Sequence, residues 1–176
     1  LCLLGDGAEI NHTEPVAVIQ NQLAEAAELI EGLVSGQRDG DFRDEFYSYW
    51  YQSVDDRAPQ VYSLLDPNPP TRMVQVWRGS EFYLLGDEAV IAQWLKNRSP
   101  NGGPWNTAPA PLLWLDRPLT PSEFPRSPAE LMKLAESCGG EQLLKELATE
   151  DTGELVVVLA AASNNGPCLA AVSITP

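Results

Sequence analysis

Two hydrophobic periods divide this chain, and the helical one comes first. Val16, Ile19, Leu23, Ala26, Ile30 and Leu33 recur every three or four residues, the spacing of one face of an α-helix. Glu25, Glu28 and Glu31 lie off that stripe. Thr13 is the expected N-cap, Pro15 stands in the first turn where a missing N–H is harmless, and Gly36 is the expected stop. After a polar break at residues 37–40 comes DFRDEFYSYWYQ, residues 41–52, with six aromatics in twelve positions. Phe42, Phe46, Tyr49 and Trp50 share one helical face, which predicts a helix to about Val54 whose rings anchor a core.

Beyond residue 57 the period shortens. Residues 61–65 read as a short strand, halted by Asp66-Pro67-Asn68-Pro69-Pro70. Met73, Gln75 and Trp77 alternate with Val74 and Val76, and Gly79-Ser80 turns the chain into residues 82–85, which predicts a hairpin. Residues 87–98 form a helix pattern, with Asp87 and Glu88 at its start and Lys96 and Arg98 at its end, both matching the helix dipole. Residues 99–110, rich in Pro, Gly and Asn, read as a loop holding Trp105, and residues 112–115 as a short strand. A proline-rich passage at 118–126 leads to Ser127-Pro128-Ala129-Glu130, a capping box. It opens a helix to Cys138; after Gly139-Gly140 another runs to about Thr149.

The last apolar runs, 155–162 and 168–174, flank an Asn-Gly pair, which predicts a second hairpin. The unbroken LVVVLAAA predicts a strand covered on both faces. The expected fold is therefore α+β. A mostly antiparallel sheet of residues 60–65, 72–85, 112–115 and 155–174 carries packed helices and follows a long amphipathic helix.

Composition narrows the function. An apolar fraction of 44% in 176 residues suffices for a core without staples. No apolar run approaches the roughly eighteen residues of a membrane span, so no membrane partner is expected. A net charge of −14 argues against nucleic acid, whose phosphates require basic clusters. Residues 1–56 hold twelve acids against two Arg, and residues 57–176 hold thirteen acids against nine bases. Such an acidic first third suits a solvated helix face or a basic partner. Cys2, Cys138 and Cys168 are too few and too widely spaced for a disulfide framework or a zinc site. They suit a reducing cytoplasm.

Candidate chemistry is sparse. His12, in a turn, is the sole histidine, so a Ser-His or Cys-His site has no other base to draw on. The acidic pairs Asp44/Glu45, Asp55/Asp56 and Asp87/Glu88 are sequence neighbours. On a helix such neighbours diverge by about 100°. No glycine-rich phosphate loop is present, and neither cofactor nor metal is expected.

Cys2 remains. Leu1-Cys2-Leu3, then a glycine-containing turn and a helix about ten residues on, resembles the stretch around the active-site cysteine of ubiquitin-conjugating enzymes. That resemblance implies that Cys2 is catalytic and accepts the C-terminus of a ubiquitin-like protein as a thioester. A wider pattern runs through DEFYSYW, VYSLLDP, VQVWRG with FYLLG, AQWLKNR and VVVLAAASNNGPCLAAVSI. It resembles the middle of bacterial fusion proteins that join a ubiquitin-conjugating-like module to a ThiF-type adenylating module.

By that likeness residues 1–38 are the C-terminal remnant of the conjugating-like module, and residues 39–176 a connecting domain. The implied partners are a ubiquitin-like protein and the adenylating module. The His-Pro-Asn segment of conjugating enzymes and the nucleotide glycines of the adenylating module are not in this sequence. The likeness thus implies a stretch that runs neither activity alone. An opening without Met fits a piece of a longer protein. The competing reading is a stand-alone interaction module anchored by exposed Tyr47 and Tyr51. An enzyme site in the loop around Trp105 is a more distant third.

Overall fold

Pro15 sets the first turn of α1 (Pro15–Val34) in a computed structural model that describes residues 14–100, 102, 104–148 and 153–174. Glu14 holds the N-cap position and its side chain makes no cap bond; the expected cap, Thr13, lies outside the described residues. At the other end the Ser35 N–H returns to the Glu31 carbonyl and the Gly36 N–H to that of Leu33, and Gly36 takes a φ of 77°. The periodic stripe is on α1 as expected, but it is open: Val16, Ile19, Leu23 and Ile30 are each more than half exposed.

The aromatic stretch is two helices rather than one. α2 (Asp39–Asp44) and α3 (Phe46–Ser53) break at Glu45. The chain divides into two compact units within α2, between Phe42 and Arg43. Phe42 therefore belongs to the first unit, and only Phe46, Tyr49 and Trp50 serve the core of the second. Phe46 is the buried member at 4% exposure, whereas Tyr49 and Trp50 are half-buried beside it.

The second unit is built on one six-stranded sheet in the order β1-β3-β2-β4-β5-β6. Its strands are β1 (Gln60–Ser63), β2 (Arg72–Arg78), β3 (Phe82–Gly86), β4 (Thr107–Leu115), β5 (Leu155–Ser163) and β6 (Gly166–Ile174). Three pairings are antiparallel, but β1–β3 and β4–β5 are parallel, so the sheet is mixed. A parallel pair needs a long crossover. For β4 and β5 it contains α5 (Pro128–Ser137) and α6 (Glu141–Ala148). The fold class is α+β, as the pattern predicts.

β4 starts within the expected loop: residues 107–110 are strand despite Pro109. Pro109 and Pro111 stand opposite Gln75 and Met73 on β2. Proline has no N–H to give, so these are the non-bonded pairs of the antiparallel ladder. The alternate residues Ala108, Ala110 and Leu112 are left to bond β2. On its other side β4 pairs with β5 only from Leu112 to Leu115. The two prolines thus aim their donor-less nitrogens away from β2, where no β5 partner waits. Each neighbour holds a different half of β4, with Leu112 common to both.

Alternation along the strands sorts the core into two faces. On one, Leu113, Leu115, Val157, Leu159 and Ala161 meet Phe46 of α3, Leu131 and Ala135 of α5 and Leu144 of α6. By register the same face carries Leu84, which packs on Ile91 and Leu95 of α4 (Glu88–Arg98). The other face gathers Val74, Val76, Leu85, Ala110, Leu112, Val156, Val158 and Ala160. β5 is buried on both sides from Val156 to Ala161, as its unbroken apolar run predicts. Between α5 and α6, Gly139 takes a φ of 71°, and a Cβ on Gly140 would collide with Leu113. Glycine there lets α6 enter directly over the sheet.

Local signals behave mostly as read. The Ser127 hydroxyl accepts the Glu130 N–H at 3.3 Å, while the Glu130 carboxylate takes the Arg126 N–H at 2.7 Å instead of closing the box on Ser127. The β5–β6 hairpin turns tightly through Asn164 and Asn165, and Gly166 opens β6 at a φ of 107°. That region favours glycine.

Candidate functional site

Cys2, the expected thioester-forming residue, lies outside the described residues, as does His12. The other two thiols sit in ordinary structural places. Cys168 on β6 is 5% exposed and lines a small apolar crevice with Phe46, Leu115 and Leu159. Cys138 is half-buried at the C-cap of α5, its thiol directed to the Ala135 carbonyl at 3.5 Å. Trp105 packs against the α4 cluster, which makes it part of the fold's hydrophobic surface.

One polar cluster among the described residues joins the ends of strands far apart in the sheet. Tyr83 of β3 donates to the Glu154 carboxylate at 2.7 Å. Ser173 of β6 donates to the same carboxylate. Arg78 of β2 gives an Nη2–H to the Glu154 carbonyl, while its Nε is buried without a hydrogen-bond partner among the described residues. The Ser173 bond holds the Glu154 carboxyl below its usual range, against the opposing effect of burial and with help from Tyr83 and the Arg78 charge. The same Tyr83–Glu154 bond, with burial, pushes the Tyr83 phenol up.

An ionised acid and a neutral phenol held in this way are stable partners rather than a poised acid–base couple. This cluster is a clasp. No spacing rule could have found it, because Ser173, Tyr83 and Arg78 lie 19, 71 and 76 positions from Glu154 in the chain.

A second ion-paired group caps the turn after β4. Arg117 grips Glu123 through two parallel bonds of 3.0 and 2.7 Å. The Thr120 N–H donates to the same carboxylate at 2.9 Å, closing a capping box on the short 3-10 turn Pro121–Glu123. Arg117 foremost, with the Thr120 N–H, pulls the Glu123 carboxyl down to about 2 against the opposing effect of burial. Among the described residues, no group of three or more His, Cys, Asp and Glu could hold a metal ion. No described helix is long and apolar enough to cross a membrane.

The end of α2 and the start of α3 are tied to the last hairpin by polar contacts. The Tyr47 hydroxyl accepts the Leu169 N–H at 2.9 Å and donates to the Pro167 carbonyl at 3.2 Å. Asn164 donates to the Asp44 carboxylate at 3.1 Å, and the Asn165 side chain to the Asp44 carbonyl at 3.1 Å. Tyr47, expected as an exposed anchor, is 55% exposed, but its hydroxyl is engaged within the fold. Tyr51 remains 83% exposed.

Comparison with known proteins finds a likeness at the front of the chain. Residues 1–59, about a third of its length, match prokaryotic E2 family B and form a region similar to bacterial ubiquitin-conjugating proteins. The matched stretch contains Cys2 and runs through α1, α2 and α3. No curated protein and no solved structure matches the chain.

Proposed function

We propose that this chain carries the cysteine-bearing end of a bacterial ubiquitin-like conjugation protein, followed by a connecting domain. Residues 1–38 are the conjugating-like remnant, and residues 39–176 position Cys2 relative to a ThiF-type adenylating module. The observation that carries this reading is the match of residues 1–59 to prokaryotic E2 family B. In the proposed step the Cys2 thiolate attacks the carbonyl of an incoming thioester, and the donor thiol leaves as thiolate. Proximity and an accessible sulfur serve this exchange more than a specially acidic thiol. The burial of Cys168 and half-burial of Cys138 support Cys2 as the reactive member of the three.

The test uses the intact protein with its ubiquitin-like partner. Cys2→Ala abolishes a reductant-sensitive adduct on denaturing gels, whereas Cys138→Ser and Cys168→Ser retain it. An adduct that survives in the Cys2 variant removes the catalytic assignment. The competing interaction-module reading draws on the exposure of Tyr51; it expects no thioester in any variant.

A further inference from the structure

The two edges of the sheet are finished differently. At the β6 edge, the Tyr47 hydroxyl fills both a donor and an acceptor of the strand. At the β1 edge no further strand lies alongside among the described residues, and all four residues of β1 are exposed. The Leu64 N–H reaches inward to the Leu85 carbonyl at 2.8 Å. Backbone groups alternate in direction along a strand, so the N–H and C=O of Val61 and Ser63 point outward. Unpaired edges of this kind template the addition of another strand.

What lies beside that edge is suited to side chains. Tyr62, 51% exposed, meets Phe82 edge-on with ring centroids 5.4 Å apart. Phe82 in turn contacts Trp77 at 5.5 Å and Trp94 at 6.0 Å. All three inner rings are only partly buried, and clustered aromatics are the commonest energetic centres of protein interfaces. Acids outnumber bases around β1: Asp55, Asp56 and Asp66 flank it in sequence, and Glu81 precedes the Phe82 that pairs with Gln60. Against them stand Arg57, Arg72, which bonds the Asp66 carbonyl at 3.1 Å, and Arg98, which lies 5.3 Å over the Trp94 ring.

We propose that β1 is a docking edge that takes an extended segment of a partner protein, with alternating basic and apolar residues, as a seventh strand. The backbone of the segment bonds Val61 and Ser63, its apolar side chains lie on the Tyr62–Phe82 shelf, and its basic side chains meet Asp55, Asp56 and Asp66. Main-chain bonds supply affinity in this mode and alternate side chains supply selectivity. The proposal concerns residues 55–94 and stands independently of Cys2 chemistry.

The probe is an end-capped nine-residue peptide alternating arginine and valine, titrated into the full chain and followed by amide hydrogen exchange. Saturable binding below about 1 mM that slows exchange at Val61 and Ser63 is expected. A copy of the peptide methylated at every backbone nitrogen keeps its charges but gives no such binding, and a glutamate–valine copy does not bind. Val61→Pro removes an outward N–H without touching the β1–β3 ladder, so it weakens binding about tenfold or more while thermal unfolding is little changed.

Absence of binding, equal binding of the methylated peptide, or protection elsewhere than Val61 and Ser63 overturns the proposal. So does undiminished binding by folded Val61→Pro. If that variant unfolds, the methylated peptide and the exchange pattern decide.

Discussion

The phenol of Tyr83, on β3, is hydrogen-bonded to the carboxylate of Glu154 at the entry to β5, three strand positions across the sheet. In a flat sheet that span would be roughly 14 Å. Two long side chains and a 2.7 Å bond bridge it over the face of Val76, Leu112 and Val158. Tyr83→Phe keeps the ring and removes the bond. It should cost about 1–2 kcal/mol in a urea titration at neutral pH; a loss under about 0.3 kcal/mol would mean that this bond adds nothing to the stability of the sheet.

Acid should act through Glu123. Its carboxyl is lowered from 4.5 to about 2 in the fold, so the folded state prefers the ionised form. The resulting stability is fully present above the unfolded value and is lost as pH falls through the folded one. Urea titrations from pH 5 to about 2 should show an acid limb that Glu123→Gln flattens. An unchanged slope in that variant would remove the Arg117–Glu123 pair as a source of acid sensitivity.

The core of the second unit should rest on Phe46 more than on Trp50. Phe46 is enclosed by Phe124 and the β5 residues, whereas the indole of Trp50 stacks over it from a half-exposed position. Phe46→Ala should cost about 3–5 kcal/mol, and Trp50→Ala distinctly less, because less of its surface leaves water on folding. Equal losses in denaturant melts would show the indole to be as much a core residue as the phenyl ring.

Local pattern made much of the fold legible. Alternation in residues 72–78 placed Val74 and Val76 on the face opposite Trp77, and the register agrees. Ser127 and Gly166 mark their cap and turn as the sequence suggests. The failures share a cause, namely information that is not local. Pro109 reads as loop until β4 is seen to have one unpaired side there. The parallel pairings of β1 and β4 depend on segments that return after long excursions. The α1 stripe shows which way the helix is amphipathic, yet periodicity carries nothing about whether that face is covered. Of the candidate site, Cys2 rests on its tripeptide and the family match, while Arg78, Tyr83 and Glu154 meet only because three separate strands end together.

Kinship and packing draw different borders on this chain. The segment akin to prokaryotic E2 family B runs to residue 59, but the second compact unit begins at Arg43. Residues 43–59 thus share the likeness of the first unit but fold with the second. Phe46 fills the space beneath Leu115 and Leu159, and Tyr47 and Asp44 hold the tip of the last hairpin. A chain ended at residue 59 would carry α3 as an orphan, and one begun at residue 60 would open a hole over β5. Exchange of the front segment between relatives would have to bring a matching hairpin with it.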